Sequence, residues 1–321
     1  MQQLSRIIFL TSLMLTACNN IDDFIPFEKA NTIQSEPPLY NKGLAGLQLT
    51  PLVLEFNSGD AFEYVFEDLS KINIPANIFA YDGKPLPNKK IQLKVTRVKN
   101  KSDMSKMGLT TYSKGRLISS GGMFYLEATW EGKPLNLIVG KHYELRIAEP
   151  NPIDEMELFY GEVSKEMPLD WIEADNNPNS TSNVGTGEWR AGNLATYGYV
   201  CFPERLKWIN CDYFVNFTGT FVTPCVQVLS DPKNDSISTN IFCVFKNFNA
   251  VTSVSLAATA ANMYCFNKVP AEQEVTYIVI GKGKKDYYIG QIRSKTAAGG
   301  AIDVKIEPAS LEEVKLILNK L

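Results

Sequence analysis

Short stretches in which apolar and polar residues alternate recur along most of this chain. "FEYVF", "IQLKVTRV", "MFYLEATW" and "HYELRI" in the first half are brief and rich in β-branched and aromatic residues. In the second half the same pattern returns in "YGYVCF", "INCDYFVNF", "PCVQVL", "IFCVFKNF", "VTYIVIGKG", "YYIGQI" and "AIDVKIEP". Turn chemistry separates them, with Asp82-Gly83 in "YDGKPLPNKK" and Gly132 before Pro134 in "WEGKPL". Many short strands divided by turns predict an all-β protein built as antiparallel sandwiches. Near the C-terminus the period changes. In "SLEEVKLILNKL" Leu311, Val314, Ile317 and Leu318 form a helical stripe, and Ser310 with Glu313 forms a capping box.

Breaks in the pattern predict the organisation. Residues 1–17 form a secretory signal, with Arg6 before an apolar stretch from Ile7 to Leu15. That stretch is shorter than the roughly 20 residues a membrane span needs. Residues 18–50 are a tether leading into the fold, and 51–150 form an N-terminal β domain. Residues 151–195 turn acidic and then rich in Asn, Ser, Thr and Gly, so they are expected to connect two domains. A second β domain covers 196–307, and 308–321 is the terminal helix.

Composition narrows the chemistry. Of 321 residues, 45% are hydrophobic and 21% charged, which marks globular material. The net charge of −3 comes without a concentrated basic stripe, so no nucleic-acid partner is expected. The only histidine is His142, on the polar side of the alternation that sends Tyr143, Leu145 and Ile147 inward. Ser-His-Asp, Cys-His and multi-histidine metal sites would all depend on that one residue, expected to face water. No cofactor and no metal are expected.

Beyond Cys18 there are five cysteines, Cys201, Cys211, Cys225, Cys243 and Cys265, with no C-x-x-C spacing. They are candidates for core positions or disulfides, and an odd count leaves at least one thiol free. "INCD" places Cys211 beside Asp212. Alternation puts Ile209, Cys211 and Tyr213 on one strand face and Asn210 and Asp212 on the other, so Cys211 is expected in a core and Asp212 opposite it. Catalytic candidates are then limited to carboxylates. Asp170, Glu173 and Asp175 surround Trp171, and Trp171 and Trp189 either stack on a glycan or pack between domains, packing being favoured. "GKGKKDYYIG" lacks phosphate-loop order and is expected to be a hairpin turn.

Three stretches carry resemblances. "LTAC", ending at Cys18, resembles the lipobox of bacterial lipoproteins. The resemblance implies a diacylated Cys18 that holds the protein to a membrane, with the outer membrane as the site and surface exposure open. "DSI" at 235–237 resembles the O-glycosylation acceptor of Bacteroidota, with Ser236 modified. "LKWINCDYF" resembles a W-I-N-C-D-x-F strand of uncharacterised Bacteroidota envelope proteins, and departs from it at Tyr213, where the pattern carries arginine. Ile74, Pro75, Ala76 and Phe79 match its companion I-P-A-x-x-F strand. Gly122, Met123, Phe124, Gly132, Lys133 and Leu135 match its G-M-F strand and G-K-P-L hairpin. These resemblances imply a secreted β-rich protein and no catalytic residues. The expected function is a lipid-anchored envelope protein with a binding or structural role and a protein or glycan partner. The alternative is a glycan-binding or carboxylate-dependent glycan-hydrolysing accessory lipoprotein.

Overall fold

The computed structural model describes residues 42–162, 169–174, 184–230, 237–254 and 262–321. Cys18, Asp175 and Ser236 lie outside them. Among the described residues the protein is all-β and sandwich-like, with two short α-helices.

Four sheets stack in order. The first has five strands, arranged Val184–Ala191, Leu194–Cys201, Glu144–Ala148, Lys71–Ile74 and Phe62–Val65. It packs on a larger sheet ordered Leu52–Asn57, Lys90–Val98, Arg116–Trp130, Lys207–Phe214, Glu157–Glu162 and Asp170–Glu173. Ile72, Leu145, Ile147 and Tyr199 of the first sheet meet Leu93, Phe124, Leu126, Ile209 and Cys211 of the second in one core. Both sheets are antiparallel, and the inward residues follow the two-residue period of a pleated strand.

The opposite face of that larger sheet is buried too. Met123, Tyr125, Phe159, Trp171 and Trp208 pack against Phe242, Val244, Ile278 and Ile280 of a third sheet. That sheet orders Val251–Ser253, Ser238–Phe245, Glu274–Lys282, Tyr287–Lys295 and Glu307–Ala309. Its far side (Ile241, Cys243, Tyr277, Val279) forms another core with Val226, Val228 and Val304 of a small sheet. In that sheet Cys225–Leu229 pairs antiparallel with Met263–Cys265 and parallel with Ala301–Lys305.

Helices α1 (Lys101–Met107) and α2 (Leu311–Leu318) plug one end of the core between the second and third sheets through Met104, Met107, Val314 and Leu318. The expected capping box is present, with the Ser310 hydroxyl accepting from the Glu313 amide at 3.2 Å and the Glu313 carboxylate accepting from the Ser310 amide at 2.7 Å.

The expected boundary between connection and second domain does not divide the described residues this way. Residues 195 and 196 lie inside a strand of the hairpin formed by Val184–Ala191 and Leu194–Cys201, in the first sheet. Lys207–Phe214 sits between Arg116–Trp130 and Glu157–Glu162 in the second sheet. Strands from 157 to 214 therefore belong to the first pair of sheets. The cause is partner choice: alternation marks a strand but carries no information about its neighbour.

Candidate functional site

Lys207–Phe214 is buried on both faces, which explains the apolar density of "KWINCDYF". Cys211 lies in the core as expected. Asp212 does not reach solvent on the opposite face; it is fully buried, as is Asn210. The register shifts at Cys211/Asp212, where Cys211 opposes Gly122 and Asp212 opposes Ser120, leaving Gly121 as the extra residue of a β-bulge. A side chain at Gly121 would place its Cβ 2.9 Å from the Tyr199 ring and 3.1 Å from the Cys211 carbonyl oxygen, so only glycine fits without movement. The Gly-Gly pair inside a strand pattern is the sequence signal for this bulge.

The bulge gathers a small polar network. The Ser120 hydroxyl donates to Asn210 Oδ1 at 2.8 Å and accepts from the Gly122 amide at 3.1 Å. Asn210 Nδ2 donates to Asp212 Oδ2, and Asn249 Nδ2 donates to the Ser120 carbonyl at 2.7 Å. Burial pushes the Asp212 carboxyl well above the usual carboxylate range, against the opposing effect of Ser120 and Asn210. No cavity among those described opens onto Asp212.

The cysteines divide. Cys225 and Cys265 face each other across two strands and form a disulfide. Cys201, Cys211 and Cys243 are free and buried. Burial raises all three thiols, Cys201 to about 12, so none is a thiolate nucleophile at neutral pH. His142 is half-buried, edge-on to the Phe202 ring, and does not point freely to water; Tyr143, Leu145 and Ile147 are buried as the alternation requires.

Trp171 and Trp189 are both buried, so neither ring is available to a glycan. Trp171 Nε1 donates to the Thr110 carbonyl at 2.7 Å and Trp189 Nε1 to the Leu69 carbonyl at 2.8 Å, the partners a buried indole requires. They were candidates as glycan platforms because a sequence does not show which indole a sheet covers. "GKGKKDYYIG" does form a hairpin tip, closed by the Gly283 amide donating to the Asp286 carbonyl at 2.9 Å.

Among the described residues, one hollow of about 440 Å³ is lined by Glu55, Lys89, Lys90, Thr129 and Trp130, and two others also carry charged side chains. A shallow one of about 340 Å³ is lined by Arg116, Glu155, Glu157, Glu173, Phe214 and Asn216. Burial and then the Glu173 charge raise the Glu157 carboxyl, while Arg116, stacked 3.7 Å over the Phe214 ring, lowers it. Glu173 is also 3.6 Å from Lys114. Among the described residues no group of three or more His, Cys, Asp or Glu could hold a metal ion.

The larger concavity is a groove of about 600 Å³, within the usual size range of ligand sites. Its floor is the third sheet where that sheet emerges past α2. Register places Val244, Thr276 and Arg293 side by side across three strands, with Lys246, Glu274 and Lys295 in the next row. Ile317, Lys320 and Leu321 form one wall and Lys101 another. Lys101 Nζ donates to the carbonyls of Phe245 at 2.7 Å and Lys246 at 3.2 Å, and burial lowers its pKa. Lys246 pairs with Glu274, and Lys295 lies 3.4 Å from Glu272. Among the described residues Lys101, Arg293 and Lys320 have no carboxylate partner within ion-pair distance. Sequence reading missed this groove, because its lysines and arginine come from four separate elements.

No family model matches the chain, and no curated protein or solved structure matches it.

Proposed function

We propose that this is a lipid-anchored protein of the cell envelope with a binding role, tethered to the outer membrane through Cys18 and recognising its ligand in the groove beside α2. The observation that carries this reading is the groove itself. It offers cationic and neutral polar side chains on a rigid sheet, with one carboxylate, Glu274, held low by its bond to Lys246. Such a set can hold a ligand. The thiols and Asp212 stand in cores and support the fold.

Amide hydrogen exchange of the full chain, with and without a soluble envelope extract, tests the binding role whatever the ligand. Slower exchange is expected at 244–246 and 291–295, and unchanged exchange there contradicts the reading. The anchor has its own test. Cys18→Ala is expected to leave an unprocessed precursor outside the detergent phase, and equal recovery of both forms in detergent contradicts lipidation.

One observation favours a second reading, a glycan-hydrolysing accessory protein. Glu157, with its raised pKa, shares the shallow surface with Glu173, which supplies the pair of carboxylates that glycoside hydrolysis requires. Glu157→Gln should then abolish release of reducing ends from envelope glycans, and wild-type protein that releases none contradicts it.

A further inference from the structure

Charge in the groove runs against charge in the whole molecule. The chain is net −3, yet five cationic side chains, Lys101, Lys246, Arg293, Lys295 and Lys320, line this one concavity. Glu274 and Glu272 are set against two of them. With both acids counted, a surplus of three positive charges remains. Holding like charges on one rigid surface is unfavourable in the free protein, and an anion with two charges would relieve it.

The donors also have a particular form. Arg293 is exposed on the strand Tyr287–Lys295 and presents a planar fork of N–H groups suited to two oxygens of one anion. Lys101 is fixed in place by its two carbonyl bonds, so its charge is positioned before any ligand arrives. Thr276, Ser294 and Gln291 add neutral hydroxyl and amide groups beside Arg293. A phosphomonoester carries about −1.5 to −2 charges and three strong acceptor oxygens, which suits a cationic surplus and this donor set.

Resting on the binding role proposed above, we propose that the groove recognises a terminal phosphate monoester borne on a polar body, such as a sugar phosphate or a phosphorylated lipid headgroup. The phosphoryl oxygens are held by Arg293, Lys101 and Lys320, and Thr276 and Gln291 contact the polar body. No bond is made or broken.

Titration calorimetry of the full chain in neutral detergent with glucose 6-phosphate tests the free source. Flotation with phosphatidylcholine vesicles containing phosphatidic acid, scored as the excess over vesicles of phosphatidylcholine alone, tests the lipid source. In either assay the Arg293→Gln/Lys320→Gln variant should bind at least tenfold more weakly, and Lys285→Gln, in the hairpin turn outside the groove, should bind like wild type. Binding should also weaken as salt rises, as for exposed charges. Sugar-phosphate binding supports the proposal and assigns a free ligand, and vesicle binding alone supports it and assigns a lipid headgroup. The proposal is overturned if neither probe binds, if the double variant binds unchanged, or if glucose binds as tightly as its phosphate. Slowed exchange at 244–246 and 291–295 with envelope extract, together with no binding of either phosphate probe, would reject the phosphate assignment while leaving the binding role standing.

Discussion

The bulge around Asp212 and the groove beside Arg293 are built on neighbouring sheets, and they use their polar residues in opposite ways. At the bulge, Ser120, Asn210 and Asp212 turn inward and bond mainly to one another and to the backbone. In the groove, Arg293 and Lys320 lie at the surface without carboxylate partners among the described residues. Reactive residue types are concentrated at the first place and ordinary lysines at the second. Access therefore separates scaffold from recognition surface better than residue type does. A buried polar network fixes register, because slipping one residue would strand its groups unbonded. A rigid row of exposed cations leaves its bonding capacity open for a ligand.

The largest effect expected is at Trp171. Shortening it to alanine removes a fully buried ring from the core shared by the second and third sheets and should cost about 3–5 kcal/mol in chemical denaturation. A loss below about 1 kcal/mol would return Trp171 to the surface and break the comparison on its scaffold side. Next is the bridge. Cys225→Ala/Cys265→Ala opens a link between strands separated by 40 positions and should cost about 2–4 kcal/mol. In the native protein Cys201, Cys211 and Cys243 should resist alkylation and react only on unfolding. Fast native labelling of Cys211 would contradict its burial.

Asp212→Asn should have a smaller effect that depends on pH. The native carboxyl binds its proton more tightly than the unfolded one. Its contribution is thus fully present below the ordinary carboxylate pKa of about 4 and is lost as pH rises toward the raised native value. Asparagine does not titrate. The variant should match wild type near pH 4 to within about 1 kcal/mol, the scale of one hydrogen bond. It should then gain on wild type as pH rises to 7, read from thermal midpoints across that range. A variant that falls behind wild type over the same range would mean the native carboxyl is ionised and paired.

Strand-forming segments were legible because the two-residue alternation is local. Tyr143, Leu145 and Ile147 face inward as it requires, and Ser310 caps α2 as its spacing with Glu313 requires. Partner choice was not legible. Lys207–Phe214 alternates as a strand with one buried face would, yet the third sheet covers its other face and draws Asp212 inside. The same cover hides Trp171, and Leu69 with its neighbours hides Trp189. The groove was illegible for a related reason. Lys101 begins α1, Lys246 follows one strand, Arg293 lies within another and Lys320 follows α2, so only the folded chain brings them together.

The most direct test of this contrast is the shift in thermal midpoint on adding glucose 6-phosphate, measured in parallel for wild type, Asp212→Asn and Arg293→Gln at pH 7. A ligand that binds only the native state raises the midpoint by an amount that grows with the ratio of its free concentration to its Kd. Without ligand, Arg293→Gln should stay within about 0.5 kcal/mol of wild type, as expected for a surface position. With ligand, wild type and Asp212→Asn should shift equally and Arg293→Gln should lose most of the shift. An equal shift in Arg293→Gln, or a shift lost in Asp212→Asn, would contradict the account by placing recognition at the bulge or outside the groove.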